Sequence, residues 1–427
     1  MFEQISFQNN ADKKQEKLKK EIVFPHAESI LRSFRDKYKN EPEKAGIMEN
    51  ILYEFFEQEI ENIEIYESEK FGASFPWTVI QTKELTKKII KKYSDRNKLK
   101  ELLTKLTEND EVAKQEFIFS SGSIMKSGYP FTFVEEAMHQ AVVALKSNLL
   151  ALREGREIND QEIYTIGLPT NELGKISPEF LEKLKADPFG VMGELQAEFV
   201  QSHIPKNEND ARRLNIKLYG ISTGASLAAA TGEKLVADGV VSQNLENKGQ
   251  DMPRLSVRMD SPVGLSKSTT KNWQIPLGYV AEFVYQTFKD PKFRLSDPKF
   301  MNQVKQALGK RGIIENMTAS DKQMKTEAIS AIISKLKEGV DFDKDLKVTK
   351  VTGTSDPLTF SLKEYRAEKA HQAESAGTLG ANISPRNEEN RREFAINQTH
   401  TPAFFRDSEL KRYYETARLI QELKEVV

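Results

Sequence analysis

Residues Leu214 to Val236 read LNIKLYGISTGASLAAATGEKLV, and no other stretch narrows the possible folds as far. A short apolar strand runs into Gly220-Ile221-Ser222-Thr223-Gly224, and a helix rich in small residues follows. A serine flanked two places away on each side by glycine, between a strand and a helix, marks a very tight turn. A Cβ at either glycine would meet neighbouring backbone, and the serine is held in a strained conformation with its hydroxyl pushed above the sheet. With the chain's glycine usage and a roughly 6% serine frequency, the bare pattern arises by chance in about one such chain in fifteen. The flanking strand and Ala-rich helix give it its weight, and they imply an α/β architecture.

The surrounding chain repeats that grammar. Strands are expected at Glu116 to Phe119, Glu162 to Gly167, Asn215 to Tyr219, Arg254 to Met259, Asp345 to Thr352 and Arg392 to Ile396. Helices are expected at Phe133 to Leu152, Phe189 to Ser202 and Ser408 to Lys424. Strands separated by helices of this length build a doubly wound, mostly parallel sheet, with ligands beyond the carboxyl ends of its strands. Between Gly264 and Asp343 the alternation stops. Helices around Leu277 to Phe288 and Lys322 to Lys337 make this an all-helical insert at a strand end, either a cap that shapes a pocket or a packing extension.

Before Glu116 the pattern is helical. Ile47, Ile51 and Phe55 with Leu52, Phe56, Ile60 and Ile63 make one apolar stripe. Thr82 to Leu106 reads as a second helix, its Lys87, Lys88, Lys91 and Lys92 forming a solvated face. Phe75-Pro76-Trp77 between them reads as an irregular aromatic segment. The expected organisation is a helical extension over residues 1–110, then one α/β domain over 111–427 with a helical cap insert at about 265–343.

Composition excludes several classes. The 427 residues contain no cysteine, so disulfides, thiolate metal sites and a cysteine nucleophile are out. A net charge of -1 gives no field that would favour nucleic acid. The amino terminus lacks an apolar signal region, and no run approaches the roughly 18 apolar residues of a membrane span. The expected location is therefore cytoplasmic. No metal-ligand spacing appears, and no cofactor is expected.

A serine hydroxyl becomes a nucleophile only with an imidazole in reach and a carboxylate to hold that imidazole. Of five histidines, His26 and His139 precede the turn, His203 ends a helix running away from it, and His371 lies inside a helical stretch. His400, in Gln398-Thr399-His400-Thr401-Pro402, directly follows the last strand and suits the base. Asp356, in the turn after Leu346 to Thr352, suits the acid, with Asp260 at the end of an earlier strand as its rival. Ser222, Asp356 and His400 follow the chain order that this topology requires.

GISTG, VTGTSDPL and NQTHTPAFF together resemble three ordered landmarks of the α/β-hydrolase superfamily, over roughly residues 116–427. The resemblance implies a Ser-Asp-His hydrolase, carried onto Ser222, Asp356 and His400. A small-molecule carboxylic ester or thioester suits a plain triad under an apolar cap, with an amide or peptide bond as the alternative. It also implies an oxyanion hole built from the backbone N–H of Thr223 and from one in the turn after Glu162 to Gly167, at Thr170 or Leu168. Gly167-Leu168-Pro169 stands where the superfamily usually has His-Gly, and proline cannot donate. Trp273 and Ile221 are expected to line the substrate. The alternative from another class is an inactive scaffold of the same fold whose N-terminal helices bind a protein partner.

Overall fold

The computed structural model describes residues 31–32, 34–61, 63–94, 116–121, 132–156, 158, 160–171, 173–206, 214–243, 252–260, 319–338, 340, 346–353, 383–384, 387–395 and 406–425. Among them the strands longer than two residues are β1 (Glu64–Ser68), β2 (Ala73–Gln81), β3 (Glu116–Ser121), β4 (Gln161–Ile166), β5 (Asn215–Ile221), β6 (Arg254–Asp260), β7 (Val348–Gly353) and β8 (Asn387–Ala395). With two short segments, Lys175–Ile176 and Ile383–Ser384, they form one ten-stranded sheet in the order β1-β2-β4-β3-β5-β6-β7-β8. From β4 to β8 every neighbouring pair is parallel. β2 runs antiparallel to both β1 and β4.

Helices cover both faces of this sheet, as a doubly wound fold requires. One layer holds α4 (Pro178–Ala186), α5 (Pro188–His203), α6 (Thr223–Ala237) and α7 (Ala319–Glu338). Phe180, Phe199, Leu227 and Ile332 from these helices are buried with Phe119, Ile216, Leu218 and Val257 of the strands. The other layer holds α1 (Pro42–Glu61), α2 (Thr82–Tyr93), α3 (Thr132–Arg153) and α8 (Arg406–Glu425). There Met48, Ile89, Leu145 and Tyr413 are buried with Ile80, Ile118 and Ile163. Ile118 and Phe119, like Ile163 and Tyr164, go to opposite layers because side chains alternate along a strand.

Among the described residues before Glu116 the structure departs from the helical reading at two strands, β1 and β2, and α2 ends at Tyr93, short of the Leu106 expected. Phe75-Pro76-Trp77 is the middle of β2, with Trp77 registered against Ile166. Its apolar alternation is short and interrupted by proline, which lowers the strand signal in sequence. The proline is tolerated because Pro76 needs only its carbonyl, which accepts from the N–H of Gly167 at 2.7 Å. Residues 64–81 therefore share the sheet's hydrogen bonds with the rest of the chain. The lysine face of α2 is solvated as expected, with Lys88, Lys91 and Lys92 exposed. The insert's helix expected near Lys322 to Lys337 is α7, whereas residues 261–318, including the helix expected at Leu277 to Phe288, lie outside the described residues.

Candidate active site

β5 delivers the chain to the carboxyl edge of the sheet, and α6 carries it away. Ser222 stands between them with φ 59° and ψ -122°. Among the described residues it is the one non-glycine with positive φ. Such a conformation costs on the order of 1–3 kcal/mol and persists only where neighbours over-determine it. They do so here. The Ser222 N–H donates to the Asp260 carbonyl at 3.0 Å, and the Ser222 carbonyl accepts from the Ala225 N–H at 3.1 Å. A Cβ on Gly220 would lie 2.1 Å from the Gly224 carbonyl oxygen, so the strand can enter the turn only through glycine. Thr223 opens α6, where backbone N–H groups have no acceptor within the helix and the helix dipole favours negative charge. Ser222, Thr223 and Ile221 are all buried.

The register sets which loops border this turn. β3 pairs with β5 on one side and with β4 on the other, Ser121 lying opposite both Gly220 and Ile166. β4 is thus two strands away from the serine, and the chain after it turns outward. Gly167 donates to Pro76 of β2, the Asn171 N–H closes a turn onto the Leu168 carbonyl at 2.8 Å, and Lys175–Ile176 then pairs with Ala73 and Ser74. Leu168 and Thr170, expected to offer an oxyanion donor, are buried in this turn. The resemblance puts the donor in this turn, and nothing local in the sequence reveals that β3 and not β4 is the neighbour of β5. The Thr170 hydroxyl is buried with no hydrogen-bond partner among the described residues. Lys325 of α7, itself buried, reaches the Asn171 and Gly174 carbonyls at 2.6 and 2.8 Å and pins this turn to the insert's last helix.

Asp260, the rival acid, holds two donors on its carboxylate. Tyr219 Oη donates to Oδ2 at 3.0 Å and Arg258 Nε to Oδ1 at 3.1 Å. Asp356, His400 and Trp273 lie outside the described residues. The strands that precede the first two, β7 and β8, run parallel to β5, so their carboxyl ends face the same edge as Ser222.

His203 has a different setting. It ends α5 beside Phe199 and Tyr164, with ring centroids 4.3 and 4.8 Å away, and its Nδ1 is 2.8 Å from the Phe199 carbonyl. Burial, reinforced by the hydrogen bond to Glu162, pushes the Tyr164 phenol above its ordinary range. The aromatic partners of His203 belong to the core, and the half-buried imidazole packs at its margin. His26 and His371 lie outside the described residues, as does the side chain of His139. Among the described residues no group of three or more histidines and carboxylates is placed to hold a metal ion. No helix among them is long and apolar enough to cross a membrane.

A mostly parallel sheet with an antiparallel second strand, a strained serine between its fifth strand and the next helix, and helices on both faces is an α/β-hydrolase fold. No family model matches the sequence, and no curated protein matches it. Solved structures similar in shape include the thioesterase domain from the curacin biosynthetic pathway, at 9% identity and TM-score 0.34 over 82% of this chain and 99% of that one. A meta-cleavage product hydrolase stands at 9% identity and TM-score 0.35, over 84% of this chain and 97% of that one. The NocB thioesterase domain, in covalent complex with a fluorophosphonate nocardicin G analogue, stands at 11% and 0.31, over 74% and 96%. Likeness at this level carries no argument about the reaction; strand order and the turn at Ser222 carry the fold assignment.

Proposed function

We propose that the chain is a serine hydrolase that cleaves a carboxylic ester or thioester through an acyl-enzyme on Ser222. The observation that carries this is the backbone of Ser222. A strained, over-determined serine at the carboxyl edge of a parallel sheet has no packing purpose that a glycine would not serve better. In this reading His400 takes the Ser222 proton and returns it to the leaving group. Asp356 stays ionised and holds the imidazole tautomer. The Thr223 N–H is one oxyanion donor. Because β3 borders the serine's strand, the segment after Ser121 is a better source for the second donor than Leu168 or Thr170. Trp273 and Ile221 contribute apolar surface to the substrate pocket, and neither metal nor organic cofactor takes part.

Reaction with a fluorophosphonate probe tests the reading. The full chain labels at Ser222, Ser222→Ala does not, and hydrolysis of a short acyl ester falls by about 10⁴-fold or more in that variant with the fold retained. Labelling that survives Ser222→Ala refutes the nucleophile. The scaffold alternative finds less support, because Phe34, Ile47, Met48, Ile51 and Leu52 are already buried against α3 and α8 of the same chain.

A further inference from the structure

We infer that Asp260 is a positioning residue for Ser222, tied in place by Tyr219 and Arg258, and is not the acid of the triad. This rests on the serine-hydrolase reading above. The unusual backbone of Ser222 needs its N–H held, and the acceptor is the carbonyl of Asp260 at 3.0 Å. Asp260 is the last residue of β6 and is paired with Ile221 of β5 on one side and Val351 of β7 on the other.

The side chain adds a restraint of its own to this backbone pairing. Tyr219 and Arg258 stand opposite each other in the β5–β6 register, and Asp260 follows Arg258 by two residues, on the same face. Oδ2 accepts from the Tyr219 hydroxyl across the strands, and Oδ1 from Arg258 on its own strand. The carboxylate therefore bridges the strand that enters the turn and the strand that holds it. With a side chain 45% exposed, Arg258 contributes little, because solvent screens such pairs. Tyr219 is the stronger tie: its ring packs against the core of the α1–α3–α8 layer, and only its hydroxyl reaches the carboxylate. When the tie is cut, the Asp260 carbonyl drifts, the Ser222 N–H loses its fixed acceptor, and the hydroxyl is less well aimed. Small misplacements of this kind cost rate and not substrate affinity.

The experiment measures fluorophosphonate labelling rates, and kcat and KM for a short-chain nitrophenyl ester across pH, for the full chain and for Tyr219→Phe, Asp260→Asn and Asp356→Asn. Tyr219→Phe is expected to lower kcat and the labelling rate together by about 3- to 10-fold, with KM and the shape of the pH profile unchanged. Asp260→Asn keeps an oxygen for Tyr219 and is expected to lose less than about tenfold, far short of the roughly 10⁴-fold that loss of a triad acid produces. A loss in Asp260→Asn as deep as that in Asp356→Asn, with a changed pH profile, overturns the inference and makes Asp260 the acid. Tyr219→Phe labelling at the full rate overturns it as well. A wild-type chain that does not label at all sinks the serine-hydrolase reading and this inference with it, whereas labelling without any Tyr219 effect sinks the inference alone.

Discussion

Two turns leave the carboxyl edge of the sheet with glycine at both ends, and they do opposite things. The turn after β5 folds back so sharply that Ser222 takes φ 59°, held there by backbone hydrogen bonds to Asp260 and Ala225. The turn after β4 runs from Gly167 to Gly174 through Pro169, shows no positive φ among its described residues, and lies flat against β2. Its glycines answer to crowding: a Cβ on Gly167 would lie 2.6 Å from the Pro76 ring, and one on Gly174 2.6 Å from the Pro169 carbonyl. Glycine in both turns thus records close approach, yet only the first uses that closeness to hold a non-glycine residue at positive φ.

Breaking each turn at its glycine tests the contrast most severely. Gly220→Ala puts a Cβ into the backbone of Gly224, which cannot yield as a side chain would. A loss of about 3 kcal/mol or more is expected by urea denaturation, with labelling abolished in whatever remains folded. Gly174→Ala is expected to destabilise by about 2–3 kcal/mol while the folded fraction labels at the normal rate. Labelling lost there would place the β4 turn in the site after all.

Lys325→Met removes the donor to two buried carbonyls, and about 1–3 kcal/mol of stability should go with it. The same variant should label within about threefold of wild type if the β4 turn only anchors α7. Ser222→Gly is expected to raise stability by about 1 kcal/mol in thermal melts while abolishing hydrolysis, because glycine accepts positive φ freely. The smallest effect is at Thr170, whose buried hydroxyl lacks a partner among the described residues. Thr170→Val should be neutral, or stabilising by up to about 1 kcal/mol, with unchanged kcat.

The two turns were not equally legible. G-x-S-x-G announces its geometry within five residues, because steric exclusion of Cβ and strain at a serine are local effects, and the observed torsion angles at Ser222 agree with it. The β4 turn has just as clear a local sequence. Its place depends on which strand lies beside β5, and that is decided by hydrogen bonds between Glu116–Ser121 and residues about a hundred positions away. β2 was hidden for a related reason. Phe75-Pro76-Trp77 looks irregular alone, and becomes a strand because β1 and β4 offer it partners on both sides. The bridge from Tyr219 to Asp260 escaped a linear reading entirely, since 41 residues separate its ends.

Taken alone, the amino-acid sequence determined the alternation of strands and helices, the two-sided burial of the sheet, and the strained serine at the end of β5. Each follows from short-range sterics and apolar periodicity, which act within a few residues. Tertiary structure decided that residues 64–81 join the sheet, that β3 stands beside the serine's strand, and that Lys325 and Asp260 act as anchors. Those outcomes depend on pairing between distant segments, where many registers satisfy the same local pattern and only the packed molecule selects one.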